Sequence, residues 1–184
     1  MIYVYLADGF EETEMTAPLD LMRRAGLQAK TVSVTGKKEV TGSHGIVYIA
    51  DMTVSDPEYD ITDARLVMLP GGMPGTLGLE NSQAVKDALD YAYKNDIYIA
   101  AICAAPSVPG KLGMLKGKKA VCYPGFEEQL IGAEAQSPDR CKCVTDGKVI
   151  TASGMGAAVE FGLAIVRELC GSETSERLRN GILA

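Results

Sequence analysis

The chain has 184 residues, a length typical of one domain and long enough to bury a core without covalent staples. With 47% hydrophobic and 23% charged residues it is too apolar for a disordered segment. A formal charge of −6 and a pI near 4.9 argue against a nucleic-acid or anionic-membrane partner, since phosphates would be repelled. The single histidine, His44, rules out a two-histidine metal site and leaves any Cys–His pair with one candidate.

No apolar run approaches the roughly 18 residues expected of a spanning helix. Met1–Ala7 lacks a basic leader and passes straight into strand-like sequence, so a cytoplasmic protein is expected. Cysteines 103, 122, 141, 143 and 170 form an odd, dispersed set, which suits a reducing compartment better than a disulfide framework. Cys141 and Cys143 have no second ligand pair in register for tetrahedral zinc, so neither a metal nor another cofactor is expected.

In chain order, Ile2–Ala7 reads as a buried parallel strand ending at Asp8-Gly9. Met15, Pro18, Leu19, Met22 and Ala25 mark one face of a helix stopped by Gly26. Gln28–Val34 alternates as a second strand, and Val40–Ala50 is an extended excursion around Gly42 and Gly45. Leu66–Leu69 is a core strand closed by Pro70-Gly71-Gly72, and a polar-faced helix fits Ser82–Lys94. Ile97–Ile102 is a further core strand running into Cys103, with Pro106 in the first turn of a helix. Short strands are expected at Lys119–Cys122, Cys141–Val144 and Val149–Ala152. Ala158, Phe161, Gly162, Ile165, Val166 and Leu169 give the clearest helical stripe, stopped by Gly171, and Ser172 caps a last helix to about Arg179. Such alternation predicts a single α/β domain over 1–184, its mostly parallel sheet covered on both faces.

In that architecture a ligand sits beyond the carboxyl ends of the strands. Three loops meet the description: Asp8–Glu14, Pro70–Gly75 and Cys103–Pro106. A strand–cysteine–helix turn is a nucleophile-elbow arrangement, and amides at a helix start favour a thiolate. The same pattern also fits a small buried hydrophobe. The glycines at 71 and 72 let backbone amides approach a developing negative charge. Among Glu11, Glu12 and Glu14, one or two read as ordinary first-turn charges. Pro18 cannot bond the carbonyl of Glu14, so the helix is expected to be disturbed there. A glutamate turned into a partly apolar pocket would hold a proton near neutrality.

The segments Gly9–Glu14, Asp20–Gly26, Leu69–Gly72, Ala100–Pro106 and Glu160–Val166, in this order along nearly the whole chain, resemble the ThiJ/PfpI superfamily. Within it the chain is most similar to the branch of the parkinsonism-associated protein deglycase. The resemblance implies a flavodoxin-like three-layer sandwich, usually a homodimer. It makes Cys103 the reactive cysteine, Glu14 its protonated partner, and the amides of Gly72 and Ala104 the anion donors. It further implies glyoxalase III activity, deglycation of early methylglyoxal adducts, or redox-responsive protection. Arg24, Tyr123 and His44 are additional pocket candidates. The protease-like branch carries histidine directly after the cysteine, where this chain has Ala104. The deglycase branch often has histidine about twenty residues on, where this chain has Tyr123, a phenol whose ordinary pKa of about 10 makes a poor base. His44 falls in a region that in the family approaches the partner subunit's pocket, although a solvated loop histidine is the plainer reading.

Two readings from different classes follow. One is an enzyme acting on a small-molecule carbonyl through Cys103 and Glu14. The other is a non-enzymatic redox sensor needing only an oxidisable thiol. An amidase or peptidase would need a histidine base that only the other subunit could supply.

Overall fold

The structure, a computed structural model, describes residues 1–184. Its elements run β1 (Ile2–Leu6), α1 (Glu12–Arg24), β2 (Ala29–Ser33), β3 (Glu39–Thr41), β4 (Val47–Ile49), β5 (Met52–Thr53) and β6 (Leu66–Leu69). Then come α2 (Gly75–Asn81), α3 (Gln83–Lys94), β7 (Tyr98–Ile102), α4 (Ser107–Lys111), β8 (Lys119–Ala120) and β9 (Glu134–Ala135). The chain closes with β10 (Cys143–Asp146), β11 (Val149–Ala152), α5 (Ala158–Cys170) and α6 (Ser172–Gly181).

Seven strands form one sheet in the order β10-β11-β7-β6-β1-β2-β5, parallel throughout except for β10 at one edge. The five central parallel strands follow the flavodoxin order, so the flavodoxin-like sandwich is present. Alternate residues of β1 feed two cores. Ile2, Val4 and Leu6 pack with Met15 and Met22 of α1 and Phe161 and Ile165 of α5. Tyr3, Tyr5 and Ala7 face the other way, toward Val85 and Leu89 of α3 and Val108 of α4. Burial on both faces is why β1 reads as an unbroken apolar run.

Two expectations need revision, and two segments take a form that the sequence left open. Helix α1 runs unbroken through Pro18. Its packing against α5 holds it: a Cβ on Gly162 would stand 2.8 Å from the Pro18 Cα, so the two backbones are nearly in contact. Helix α2, which begins at the last residue of the Pro70–Gly75 loop, has no apolar stripe of its own to betray it. Gly171 and not Ser172 caps α6. The excursion at Val40–Ala50 is an antiparallel hairpin, β3–β4, standing apart from the main sheet.

The order of strands reverses between β1 and β6. Their carboxyl ends diverge there and open a crevice, with the end of β7 alongside.

Candidate active site

Three elements deliver side chains to this crevice. Glu14 lies in the first turn of α1, whose N-cap is Glu11; the Glu11 carboxylate accepts the Glu14 N–H at 2.7 Å. The Glu14 side chain turns inward, is 1% exposed, and accepts a hydrogen bond from the Gly71 N–H at 2.9 Å. Cys103 follows β7 with a φ of 65°, a left-handed conformation uncommon outside glycine. Its peptide is pinned from both sides: its N–H donates to Ala152 at 2.9 Å, and its carbonyl accepts from Tyr123 at 2.8 Å. The Glu14 carboxyl and Cys103 flank the same point beside Gly71, so acid and thiol bear on each other's ionisation, and the amides of Ala104 and Gly72 act on the sulfur.

Gly71 permits this meeting. A Cβ there would lie 2.6 Å from both the Cys103 Cβ and Glu14 Oε2. Gly72, at a φ of 89°, turns its amide into the pocket in a conformation that side chains resist.

Burial pushes the Glu14 carboxyl up to about 7, with the negative charge of Glu11 adding to the effect. Burial and then the charge of Glu14 push the Cys103 thiol up to about 12, and the two amides pull it back. This corrects the expectation of a thiol acidified by a helix. Helix α4 begins only at Ser107 and has five residues, too short for a developed dipole at the sulfur. The two acids share one low-dielectric space, so a thiolate is favoured when Glu14 carries the proton and its O–H can donate to sulfur.

The other two glutamates are not idle first-turn charges. Glu12 is buried, and its carboxylate accepts from the His44 N–H at 2.8 Å, the Ser43 hydroxyl at 3.1 Å and His44 Nδ1 at 2.8 Å. Burial alone would raise its pKa, but these bonds hold it at about 2. The histidine ring is exposed yet fixed, and Glu12 raises its pKa in return. Glu11, Glu12 and His44 bring ligand-type atoms within 4.8 Å of one another, but the Glu12 carboxylate is already saturated by donors of the hairpin.

Tyr123 does stand at the site, through the hydrogen bond of its N–H to Cys103. Arg24 does not. It lies ten residues along α1 from Glu14, about 15 Å at 1.5 Å per residue, and pairs with Asp20 at 2.6 Å. Sequence reasoning overlooked Gly154, whose Cβ position would be 3.3 Å from the Tyr123 ring and 3.9 Å from Glu14 Oε1. The signal was the closely spaced glycines of Ser153-Gly154-Met155-Gly156 after a core strand. A cleft of about 410 Å³ between Ile97, Ile99, Lys118 and Lys148 lies at the amino ends of β7 and β11, away from this chemistry.

No helix is long and apolar enough to cross a membrane. The chain is 36% identical over 180 residues to the protein dj-1beta of Drosophila melanogaster, covering 98% of this chain and 95% of that one. It is 35% identical over 173 residues to the protein DJ-1 homolog B of Arabidopsis thaliana, covering 94% of this chain; it spans only 39% of that longer protein. The structure of oxidized Toxoplasma gondii DJ-1 superposes with a TM-score of 0.90 at 30% identity, covering 99% of this chain and 97% of that one. Residues 1–168 match the DJ-1/PfpI family, and with the strand order and relatives of this likeness they establish that the chain belongs to it.

Proposed function

We propose that the chain, as one domain over residues 1–184, is a cysteine-dependent enzyme acting on small reactive carbonyls. The observation that carries this reading is the pairing of Cys103 with a buried, proton-holding Glu14 beneath two amides. The Cys103 thiolate attacks the aldehyde carbon of an α-oxoaldehyde, and the new alkoxide takes the proton held by Glu14 to give a hemithioacetal. The Gly72 and Ala104 amides stabilise the negative charge on sulfur and on the oxygen. Glu14, as carboxylate, then removes the proton from the former aldehyde carbon and returns it to the neighbouring carbonyl carbon, whose oxygen takes the hydroxyl proton of the hemithioacetal. The result is a 2-hydroxy thioester, an internal redox exchange that needs no outside oxidant. Water cleaves the thioester, releasing the hydroxy acid and the thiol. Deglycation of an early methylglyoxal adduct would use the same thiol on the same carbonyl-derived carbon.

With methylglyoxal the expected product is lactate. Cys103→Ser should abolish turnover, and Glu14→Gln should lower it by about 10²-fold or more, the scale of a lost general base. Lactate formation that survives Cys103→Ser overturns the reading. Five free thiols fit a cytoplasmic setting, and the expected assembly is a homodimer.

A second reading, a non-enzymatic redox sensor with a stress-protective role, is favoured by one feature. The only imidazole is tied to Glu12 and Tyr123 occupies the wall beside Cys103, so no histidine base serves the thiol within the chain. Stoichiometric oxidation of Cys103 without any carbonyl turnover would support it. The same feature disfavours an amidase or peptidase.

A further inference from the structure

We propose that the cleft at the amino ends of β7 and β11 is a second binding site, built for a small aromatic carboxylate and independent of Cys103.

The cleft lies where the sheet meets two separate packing clusters. Ile99 of β7 and Val149 of β11 are register partners, so their side chains share one face of the sheet. Ile99 belongs to the core beneath α3, whereas Val149 packs with Leu115 and Leu130 beside β8. Between these clusters a space of about 410 Å³ remains, lined by both residues and well within the size of small-molecule pockets. Ile97 extends the apolar wall, and the half-exposed Tyr93 adds an aromatic residue, the kind of partner a flat apolar body takes.

Two lysines line the same cleft. Lys148 is fixed, its Nζ standing 4.2 Å from the centre of the Tyr98 ring and 3.9 Å from Asp96 Oδ2. Lys118 is half-buried, and its Nζ lies over the turn between β10 and β11, 3.3 Å from where a Cβ on Gly147 would stand. It takes no part in the ion pairs that the other lysines make. Asp146, next to that glycine, accepts the Lys119 N–H at 2.8 Å. In a chain of net charge −6, a half-buried ammonium without a carboxylate, beside an apolar wall, reverses the local sign. A ligand carboxylate supplies the missing partner through a charge-assisted bond. A second negative charge on the ligand would meet Asp96 with no further cation to offset it, which disfavours a phosphate dianion.

The cleft stays open in a twofold assembly. Helix α1 and Tyr48 of the hairpin pack on the opposite face of the sheet, so a second copy seated there does not cover it. Cys103 lies beyond the other end of β7, about 20 Å from Ile97 at about 3.3 Å per residue.

The test titrates isotope-labelled full-length protein with naphthoate by amide NMR, with Cys103 first free and then blocked by iodoacetamide. Saturable shifts should centre on Lys118, Gly147 and Lys148 with a Kd of about 1 mM or below, the affinity expected of a ligand this size. Blocking Cys103 should leave them unchanged. Naphthamide, with the same rings and no charge, and naphthyl phosphate, with a second charge, should each bind about tenfold more weakly. Lys118→Gln, its fold verified by circular dichroism, should weaken naphthoate by about tenfold and leave naphthamide unaffected. No saturable shift, equal binding of acid and amide, tighter binding of the phosphate, or a Lys118→Gln that leaves naphthoate unaffected or weakens both ligands alike overturns the proposal. Shifts that centre on Gly72 and Ala104 and vanish once Cys103 is blocked overturn it as well.

Discussion

Glu14 occupies a first-turn position where a carboxylate is usually solvated, yet it is 1% exposed, and its neighbours supply one amide against two for the sulfur. The thiol and carboxyl titrate as a pair, and the first proton leaves near 7, the value to which burial lifts Glu14. The alkylation rate of Cys103 should therefore rise through an inflection near pH 7. Glu14→Gln removes the second acid and should abolish that inflection, leaving one thiol titration; an unchanged curve in the variant would sever the link between the two groups. Oxidation probes the same contact. Mild peroxide should carry Cys103 to an accumulating sulfinate, because Cys122, the cysteine nearest to Tyr123 in sequence, is buried in a separate cluster with Leu115 and Leu130 and offers no resolving thiol. A protonated Glu14 can donate to a sulfinate oxygen, a short and strong kind of bond. Glu14→Gln keeps a weaker donor and should lower the sulfinate yield, and Glu14→Leu should lower it further. Intact-mass analysis reads the outcome, and disulfides in place of a gain of two oxygens would defeat it.

The hairpin β3–β4 and the start of α1 are joined through Glu12, Ser43 and His44, a clasp beside the cap that holds the Glu14 turn. Glu12 has its pKa lowered from 4.5, so its contribution to stability is present above 4.5 and is lost as pH falls toward about 2. His44 has its pKa raised from 6.5, so its contribution is present below 6.5 and is lost as pH climbs through the raised value. The clasp is therefore strongest between these limits. His44→Gln should lower Tm most near about pH 5.5, with a smaller gap at about pH 3 and about pH 9. A gap independent of pH, followed by circular dichroism, would show that the ion pair adds nothing. This clasp was not legible in the sequence, because its partners lie 32 residues apart and pairing across a fold leaves no local pattern. Strands β6 and β11 were readable to the residue because burial on both faces demands unbroken apolar runs. Cys103 was readable from its place after such a run. Helix α2 was hidden by Gly75 and Gly78, which serve close backbone approach: a Cβ on Gly78 would sit 2.7 Å from the Ala7 Cβ.

At the scale of the molecule, the reversal of strand order gathers the ends of β1, β6 and β7, and so places an acid, two amides and a thiol from distant segments in one crevice. The β3–β4 hairpin stands apart from the main sheet and leaves one face of β4 open. Along β4 the period of two sends Tyr48 inward, its ring 5.5 Å from that of Phe10, and sends Val47 and Ile49 outward to solvent. Beside them, Ile46 and Tyr48 line a shallow cleft with Thr13, Thr16, Ala17 and Asp20 of α1. Family likeness leads us to expect a homodimer, and a twofold contact needs a self-complementary patch of this kind. Covering one such branched side chain contributes about 1.5–3 kcal/mol, so two copies of Val47 and Ile49 supply a substantial share of a stable contact. Sedimentation under reducing conditions at micromolar protein should give about 39 kDa, twice the 19.5 kDa of the chain. Ile49→Glu puts a carboxylate on this patch in each copy and should return the species to 19.5 kDa with the circular-dichroism spectrum unchanged. A wild-type monomer would refute the dimer itself. A dimer that tolerates Ile49→Glu would refute this face and move the contact elsewhere on the surface.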